Sequence, residues 1–169
     1  MLIIPTPLGD LDASFDVNGS LTRLMFVPPA TAIEGDMNEA QSHTARLLAK
    51  ELYDYFSGTL KVFSIPIAPA GTSFQLQVWD RLLAIPYGTI TTYGQIAVEL
   101  GGANLARAVG RANGTNPIFL LIPCHRVIGA NGQLTGYAGG LDRKAGLLQL
   151  EKAIVSRSIQ SQPQLFSDN

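Results

Sequence analysis

Apolar residues at every second position mark the beginning of the chain, which is the pattern of half-buried β-strands. Residues 1–4 are apolar, and every second side chain from residue 11 to residue 17 is apolar. Asn18-Gly19 is a typical hairpin turn, and a mostly apolar run resumes at residues 21–27. The pattern therefore predicts strands at residues 1–4 and 11–27, with the second region folded into a hairpin that ends at two prolines.

Residues 38–56 carry apolar side chains at the spacing of an amphipathic helix. The predicted apolar face consists of Ala45, Leu48, Leu52 and Tyr55. Ser57-Gly58 would end this helix. The extended stretch that follows contains prolines and a glycine, and we predict a linker and a domain boundary near residues 66–71.

A second amphipathic helix is predicted after Thr72, a favourable N-cap residue. Its apolar face consists of Phe74, Val78, Leu82 and Ile85. The Pro-Tyr-Gly sequence at residues 86–88 would end it. Two short helices are predicted next, at residues 89–102 and 104–114, joined by a turn at Gly101-Gly102, and this arrangement describes a helix-turn-helix.

The second of these short helices is built mainly from small residues. We expect Asn104 to cap it. The small residues are Ala106, Ala108, Gly110 and Ala112, and Arg107 and Arg111 lie among them. Small side chains allow a helix to approach another surface closely, but a helix packed inside the core has the same composition, and the pattern alone leaves both possibilities open.

Composition favours a globular protein, because 46% of the 169 residues are hydrophobic and only 15% are charged. Cys124 is the only cysteine, which excludes an intramolecular disulfide. With two histidines it cannot supply a tetrahedral structural zinc site, so we expect no metal. No apolar run approaches the roughly 20 residues of a spanning helix, and the N-terminus lacks the basic region of a signal peptide. We therefore expect a cytoplasmic protein.

Charge is distributed unevenly, although the net charge is only -1. Residues 1–71 hold four basic and eight acidic side chains, whereas residues 72–155 hold seven basic and four acidic ones. A basic working surface on the second half would fit this distribution. On charge alone, chance scatter is the preferred explanation.

The residues that could carry out a chemical reaction are concentrated after residue 117. The apolar run at residues 118–122 predicts a buried strand that leads into Pro123-Cys124-His125. A thiolate is the reactive form of cysteine, an adjacent imidazole can accept its proton, and a carboxylate can orient that imidazole. Glu151, at the end of the next predicted helix, is the candidate carboxylate. An inert buried cysteine, a histidine that satisfies a strand end and a solvated glutamate would give the same spacing.

Several linked motifs, and not the triad alone, indicate a family. The PCHRVIG stretch at residues 123–129 resembles the active-site signature of the O6-alkylguanine-DNA alkyltransferases, also called methylated-DNA–protein-cysteine methyltransferases. FQLQVWDRLLAIPYGTITTYGQIA, ARAVGRANGTNP, GYAGGL and the later Glu151 follow in that family's order and spacing. The resemblance covers about residues 72–152.

The resemblance implies a role for each matching residue in the reaction. Cys124 would attack the alkyl carbon on O6 of guanine and keep the group, so that each molecule acts once. Glu151, His125 and a water would withdraw the thiol proton. Tyr93 resembles the tyrosine that pushes on the target phosphate and donates a hydrogen bond to the purine, and Arg107 resembles the arginine that fills the space left by the extruded base.

The resemblance also implies a substrate pocket and a DNA-binding surface. Asn116 is similar to the asparagine that ties the helix-turn-helix to the active-site turn. Val127 and Cys124 would offer backbone carbonyls to guanine, and Phe119 would narrow the pocket. The loop that closes the pocket would consist of Tyr137, Ala138 and Gly139. Further DNA contacts are expected from Asn104, Ala106 and Arg111.

The resemblance and the predicted elements together give the expected organisation. We expect an α+β fold: a small N-terminal α/β domain at residues 1–70, then a helical, winged-helix-like C-terminal domain with the helix-turn-helix at residues 71–155. Residues 156–169 would form a flexible tail. The expected partner of this monomer is double-stranded DNA that contains O6-alkylguanine, with no cofactor and no membrane.

Three other functions remain open at this point. An alkyltransferase-like protein would bind the lesion without transferring the alkyl group. A helix-turn-helix regulator would contain an inert cysteine. A thiol hydrolase would use the same three side chains on a small acyl substrate.

Overall fold

The computed structural model of the chain describes residues 2–29 and 36–152, and the predicted tail lies outside these ranges. Three antiparallel strands open the fold in the order β1 (Leu2–Ile4), β2 (Leu11–Phe15) and β3 (Leu21–Phe26). Asp16 Oδ1 accepts hydrogen bonds from the backbone of Asn18 and Ser20, which closes the turn between β2 and β3. The predicted hairpin is confirmed.

Helix α1 (Glu39–Phe56) covers this sheet with the predicted face. Asn38 caps it through a reciprocal pair of hydrogen bonds with Gln41, a capping box. The apolar residues chosen from the spacing are all buried, namely Ala45, Leu48, Leu52 and Tyr55. Tyr55 is fully buried, although its hydroxyl is polar, and its partner is described below.

Helix α2 (Ser73–Leu83) begins at the predicted cap, because Thr72 forms a capping box with Gln75. It ends two residues before Ile85, which is buried but lies beyond the helix. The Trp79 indole donates a hydrogen bond of 2.9 Å to the Ala112 carbonyl. This bond attaches α2 to the last turn of the second short helix.

The predicted helix-turn-helix is present, with different boundaries. Thr91–Thr92 form a short strand, β4, that pairs in parallel with β5 (Val127–Ile128), so helix α3 spans only Tyr93–Glu99. The second helix, α4, spans Ala106–Gly114. The prediction that Asn104 caps it is wrong, because Asn104 lies inside a preceding 3₁₀ turn (Ala103–Leu105) and the N-cap position belongs to Leu105.

The predicted buried strand at residues 118–122 is also wrong. Ile118 makes a single bridge to Leu24 of β3, and the chain then turns. Leu120 adopts a φ of 67°, outside the strand region, and the amide of Ile122 donates to the Ile118 carbonyl. The run is apolar because the turn is buried, which periodicity alone cannot distinguish from a buried strand.

The two halves of the chain share one contiguous apolar core. The outer edge of β3 bonds to both neighbouring segments: Leu21 pairs with residues 66–68, and Leu24 pairs with residues 117–119. Helix α5 (Leu141–Leu150) follows β5 and is the last helix among the described residues. Two small sheets and the five α-helices among the described residues confirm the α+β fold class, whereas the boundary near residue 70 stays a prediction. Within the described residues, no helix is long and apolar enough to cross a membrane.

Candidate active site

Cys124 begins a short 3₁₀ turn (Cys124–Arg126) between α4 and β5. The residue is only 2% exposed. Burial raises the pKa of its thiol to about 11, although the hydrogen bond from Asn116 and the charge of Lys144 act in the opposite direction. A thiol in this position is protonated at neutral pH, and its reactivity depends on a nearby base.

Asn116 joins α4 to the cysteine turn. Its Nδ2 donates to the Ile122 carbonyl at 2.8 Å and to Cys124 Sγ at 3.0 Å. Its Oδ1 accepts a hydrogen bond of 3.0 Å from the amide of Ile118. The side chain therefore holds both ends of the buried turn and contacts the sulfur itself.

His125 and Glu151 form a fully buried pair, with 2.9 Å between Nε2 and Oε1. Burial lowers the pKa of His125, so the imidazole is neutral at pH 7 and able to accept a proton. Burial alone would raise the pKa of Glu151, but hydrogen bonds from His125 and Arg126 outweigh it and hold that pKa well below its usual range. The structure brings the three predicted triad residues into one buried region.

The second ring nitrogen of the imidazole has no hydrogen-bond partner in the part of the chain that the structure describes. His125 Nδ1 is buried and makes no hydrogen bond to any described residue. Nε2 is already engaged by the carboxylate, so Nδ1 is the atom that can receive a proton. A buried acceptor without a partner is costly in a structural histidine and expected in a general base.

Three groups that bind Glu151 were not predicted from the sequence. Arg126 donates to both carboxylate oxygens at 2.9 Å and to the Ile85 carbonyl at 2.6 Å. The Tyr55 hydroxyl donates to Oε1 at 2.7 Å, and the amide of Gly88 donates to Oε2 at 3.2 Å. Arg126 lies in the quoted PCHRVIG motif, but no local signal connects Tyr55 with a residue 96 positions away.

A fully buried lysine holds the segment after the cysteine turn. Lys144 Nζ donates to the Val127 carbonyl at 2.6 Å and to the Thr135 carbonyl at 2.9 Å. Burial lowers the pKa of Lys144 to about 8, although the charge that Cys124 carries when it is ionised acts in the opposite direction. The Tyr93 hydroxyl donates to the same Thr135 carbonyl at 3.2 Å. Sequence reasoning missed Lys144, whose position at the start of a helix looks like an ordinary solvated one.

Aromatic rings form one wall beside the cysteine. The Phe119 ring lies 5.3 Å from the ring of Tyr137 and 6.1 Å from that of Phe26, measured between centroids. Tyr137 is buried, and its hydroxyl has no hydrogen-bond partner among the described residues. Of the other predicted loop residues, Gly139 is buried and Ala138 is exposed.

Helix α4 presents the predicted DNA-binding side chains away from the core. Arg107 and Arg111 are exposed, and so is Asn104 in the preceding turn, whereas Ala106 is half-buried. Val109, Ala112 and Asn113 form the buried side of the helix. The helix is therefore not enclosed in the core, and its exposed side combines two guanidinium groups with small residues. The described residues contain no cluster of three or more potential metal ligands.

Comparisons with known proteins connect this geometry to a family. A family profile described as "6-O-methylguanine DNA methyltransferase, DNA binding domain" matches residues 73–153. The methylated-DNA–protein-cysteine methyltransferase of Methanosarcina acetivorans is 46% identical over 150 residues, which cover 88% of this chain and 96% of that protein. The chain belongs to the methylated-DNA–protein-cysteine methyltransferase family.

Solved structures of methyltransferases in this family share the whole architecture. Mycobacterium tuberculosis OGT in complex with DNA is 42% identical, has a TM-score of 0.78, and the match covers 89% of this chain and 91% of that one. The O6-methylguanine DNA methyltransferase of Methanococcus jannaschii is 30% identical with a TM-score of 0.66, covering 92% and 96%. The likeness thus includes the N-terminal half, which the sequence motifs do not cover.

Proposed function

We propose that this protein repairs DNA by transferring the alkyl group from O6 of guanine to Cys124, once per molecule. The observation that carries the proposal is the placement of the only cysteine beside a buried, neutral His125 that is bonded to an ionised Glu151. That arrangement occurs in a chain of the methylated-DNA–protein-cysteine methyltransferase family. Lesion binding without transfer is not favoured, because the nucleophile is present.

The transfer is a nucleophilic displacement at the alkyl carbon. The thiol proton passes through a water to His125 Nδ1, because that nitrogen makes no direct hydrogen bond to the sulfur. The charge of Glu151 stabilises the resulting imidazolium. The sulfur forms a bond to the alkyl carbon as the carbon–O6 bond breaks, and the electron pair of that bond remains on the guanine. The thioether has no route back to a thiol, which limits each molecule to one reaction.

Tyr93 is suited to assist the departure of the guanine anion. Burial raises the pKa of its phenol, so the hydroxyl stays protonated and can donate a hydrogen bond. In the structure it donates to the Thr135 carbonyl. We assign Tyr93 the donor role toward N3 of the purine, where a hydrogen bond reduces the charge that develops on the leaving base.

The substrate base has to leave the duplex, because O6 is not reachable inside the base stack. We assign α4 to the minor groove of DNA, because its exposed side carries only small side chains apart from the two arginines. Arg107 would occupy the position of the extruded base, and Arg111 and Asn104 would contact the backbone. Ala106, which is half-buried, allows close approach of the two surfaces.

The pocket favours small alkyl groups. Phe119 is buried against two other rings, so its side chain has little freedom to move away from a bulky substituent. The Val127 carbonyl already accepts from Lys144 and retains one lone pair for the guanine amino group. The exposed Ala138 offers its backbone to the substrate. We therefore assign O6-methylguanine as the preferred substrate class.

The decisive experiment mixes the protein with duplex DNA that contains one O6-methylguanine. Mass spectrometry of the peptide that contains Cys124 should show a gain of one methylene unit. The Cys124→Ala variant should bind the same duplex with unchanged affinity and show no gain. Methyl transfer that survives this substitution would disprove the role of Cys124.

The same experiment separates the competing functions. An unmodified peptide with tight, lesion-specific binding would indicate a binding protein, and preference for one undamaged sequence would indicate a regulator. Turnover of a thioester without DNA would indicate a hydrolase. Since the reaction consumes a free thiol, we also propose that the protein works in the cytoplasm, where cysteines remain reduced.

A further inference from the structure

Arg143 connects the predicted pocket loop, residues 137–139, to the N-terminal sheet. Its Nε donates to the Leu8 carbonyl at 2.8 Å, and its Nη1 donates to the Gly139 carbonyl at 2.9 Å. The guanidinium carbon lies 4.6 Å from the centre of the Phe26 ring. One side chain of α5 thus contacts the β1–β2 connection, strand β3 and the pocket loop.

The N-terminal side of this contact is shaped to receive the guanidinium. A turn closed by two hydrogen bonds between Thr6 and Gly9, of 2.6 and 3.1 Å, presents the Leu8 carbonyl. Gly9 has a φ of +116°, and a Cβ at this position would lie 2.9 Å from Arg143 Nη2. The backbone conformation therefore favours a glycine here, and a larger side chain would also displace the end of the arginine side chain.

The pocket loop is tightly packed at Gly139, and a glycine with a positive φ lies on each side of it. A Cβ at Gly139 would lie 2.6 Å from Tyr137 Cε1 and 3.0 Å from Phe26 Cδ2. Gly136 and Gly140 flank the loop with φ values of +41° and +95°, and a Cβ at either would meet no atom within 4 Å. The loop therefore depends on contacts from outside, such as the bond from Arg143, for its position.

We propose that Arg143 is a positioning residue that fixes the loop of residues 137–139 against the N-terminal sheet in the conformation that receives the extruded base. The planar guanidinium donates to two carbonyls from distant parts of the chain while it stacks on an aromatic ring, a combination that a lysine ammonium does not reproduce. The inference rests on the proposed function. It gives the N-terminal half of the chain a role in substrate recognition without any contact to DNA.

Single-turnover kinetics on duplex DNA with O6-methylguanine test this role, with protein in excess. Arg143→Ala should raise the protein concentration for half-maximal rate on the order of tenfold, because two hydrogen bonds from a charged donor are lost. The maximal rate constant should stay within about threefold of the original value, because the triad is untouched. Arg143→Lys should recover part of the loss. The matched control is Arg46→Ala, which removes an exposed arginine of α1 and should change neither constant.

Hydrogen exchange provides a second readout on the same variants. The amides of residues 136–140 should exchange faster in Arg143→Ala, while those of α4 keep their protection. If Arg143→Ala does not fold, the kinetics and the hydrogen exchange are measured on Arg143→Lys, which should show the same changes to a smaller extent.

Two outcomes would overturn the inference, and they are distinguishable. Unchanged half-saturation in a folded variant, with only a lower fraction of active molecules, would show that Arg143 merely stabilises the fold. No methyl transfer by the unsubstituted protein would remove the proposed function and this role with it.

Discussion

One buried carboxylate organises the chemistry at the residue scale. Within the described part of the chain, Glu151 accepts five hydrogen bonds, which come from Tyr55, Gly88, His125 and twice from Arg126. Charged donors lower the energy of the ionised form more than neutral ones do. Glu151 therefore remains ionised while it stabilises a proton on His125.

The pH dependence of stability should reveal this group. The pKa of Glu151 is depressed in the folded protein and is about 4.3 in the unfolded chain. Its contribution to stability is thus fully present above pH ~4.3 and is lost as the pH falls toward the folded-state pKa. Urea unfolding between pH 7 and pH 3 should show a steeper acid loss for the unsubstituted protein than for Glu151→Gln.

Glu151→Gln should also slow methyl transfer on the order of a hundredfold or more, since an amide cannot stabilise the imidazolium. At pH 7 it should lower the free energy of unfolding by about 3 kcal/mol, because the Arg126 charge stays buried without its partner. Glu51→Gln is the matched control, since Glu51 is a buried carboxylate bonded to Ser64. A control that slowed transfer equally would mean that lost stability, and not the lost carboxylate, explains the effect.

At the scale of elements, α4 depends on support from its neighbours. It has no side-chain N-cap and is rich in alanine and glycine, so its intrinsic preference for a helix is mixed. The Trp79 hydrogen bond to Ala112 and the Gln75 hydrogen bond to Thr115, both 2.9 Å, hold its C-terminal end to α2. Because this support comes from the buried side, the exposed side of α4 is free to carry Arg107 and Arg111, the side chains that we propose contact DNA.

Arg107→Ala should separate base extrusion from chemistry. The substitution removes the side chain that would fill the vacated stack, so single-turnover repair of duplex DNA should slow on the order of tenfold. The reaction with free O6-methylguanine base should keep its rate, because no base has to leave a stack. The control is Arg81→Ala, an exposed arginine of α2. Equal losses on both substrates would contradict the role assigned to Arg107.

For the whole molecule, the important feature is the continuity between the two halves. The β3 backbone pairs with residues 117–119 immediately before the cysteine turn, and Tyr55 of α1 binds Glu151. Both contacts cross the predicted boundary near residue 70. Both halves of the chain therefore contribute to the candidate active site, and not only the segment that carries its motifs.

The two halves should consequently unfold together. Fluorescence of Trp79, the only tryptophan, reports the second half, and hydrogen exchange of α1 amides reports the first. Urea titration should give coincident midpoints for the two probes. Tyr55→Phe removes the hydroxyl that bonds to Glu151. It should lower both midpoints equally, which corresponds to a loss of about 1–3 kcal/mol in the free energy of unfolding. Two separated transitions would show that the halves are independent.

The local sequence pattern was sufficient to predict those elements whose ends and buried faces depend only on nearby residues. The hairpin, the cap at Thr72 and the apolar face of α1 follow from spacing and turn chemistry, and all are observed. The family follows from linked motifs in the second half. Of its expected active-site residues, His125 and Glu151 are bonded to each other and Cys124 is buried, whereas their catalytic roles stay predictions.

The tertiary structure decided everything that depends on distant partners. Residues 118–122 form a buried turn and not a strand, because only Ile118 pairs with β3 before the chain changes direction. Tyr55, Lys144 and Arg143 form hydrogen bonds with residues that lie 96, 17 and 135 positions away in the chain. Periodicity reports whether a side chain is buried, but not which polar atom it meets there. These pairings have a large effect on stability, because an unpaired polar group costs far more free energy inside the protein than in water.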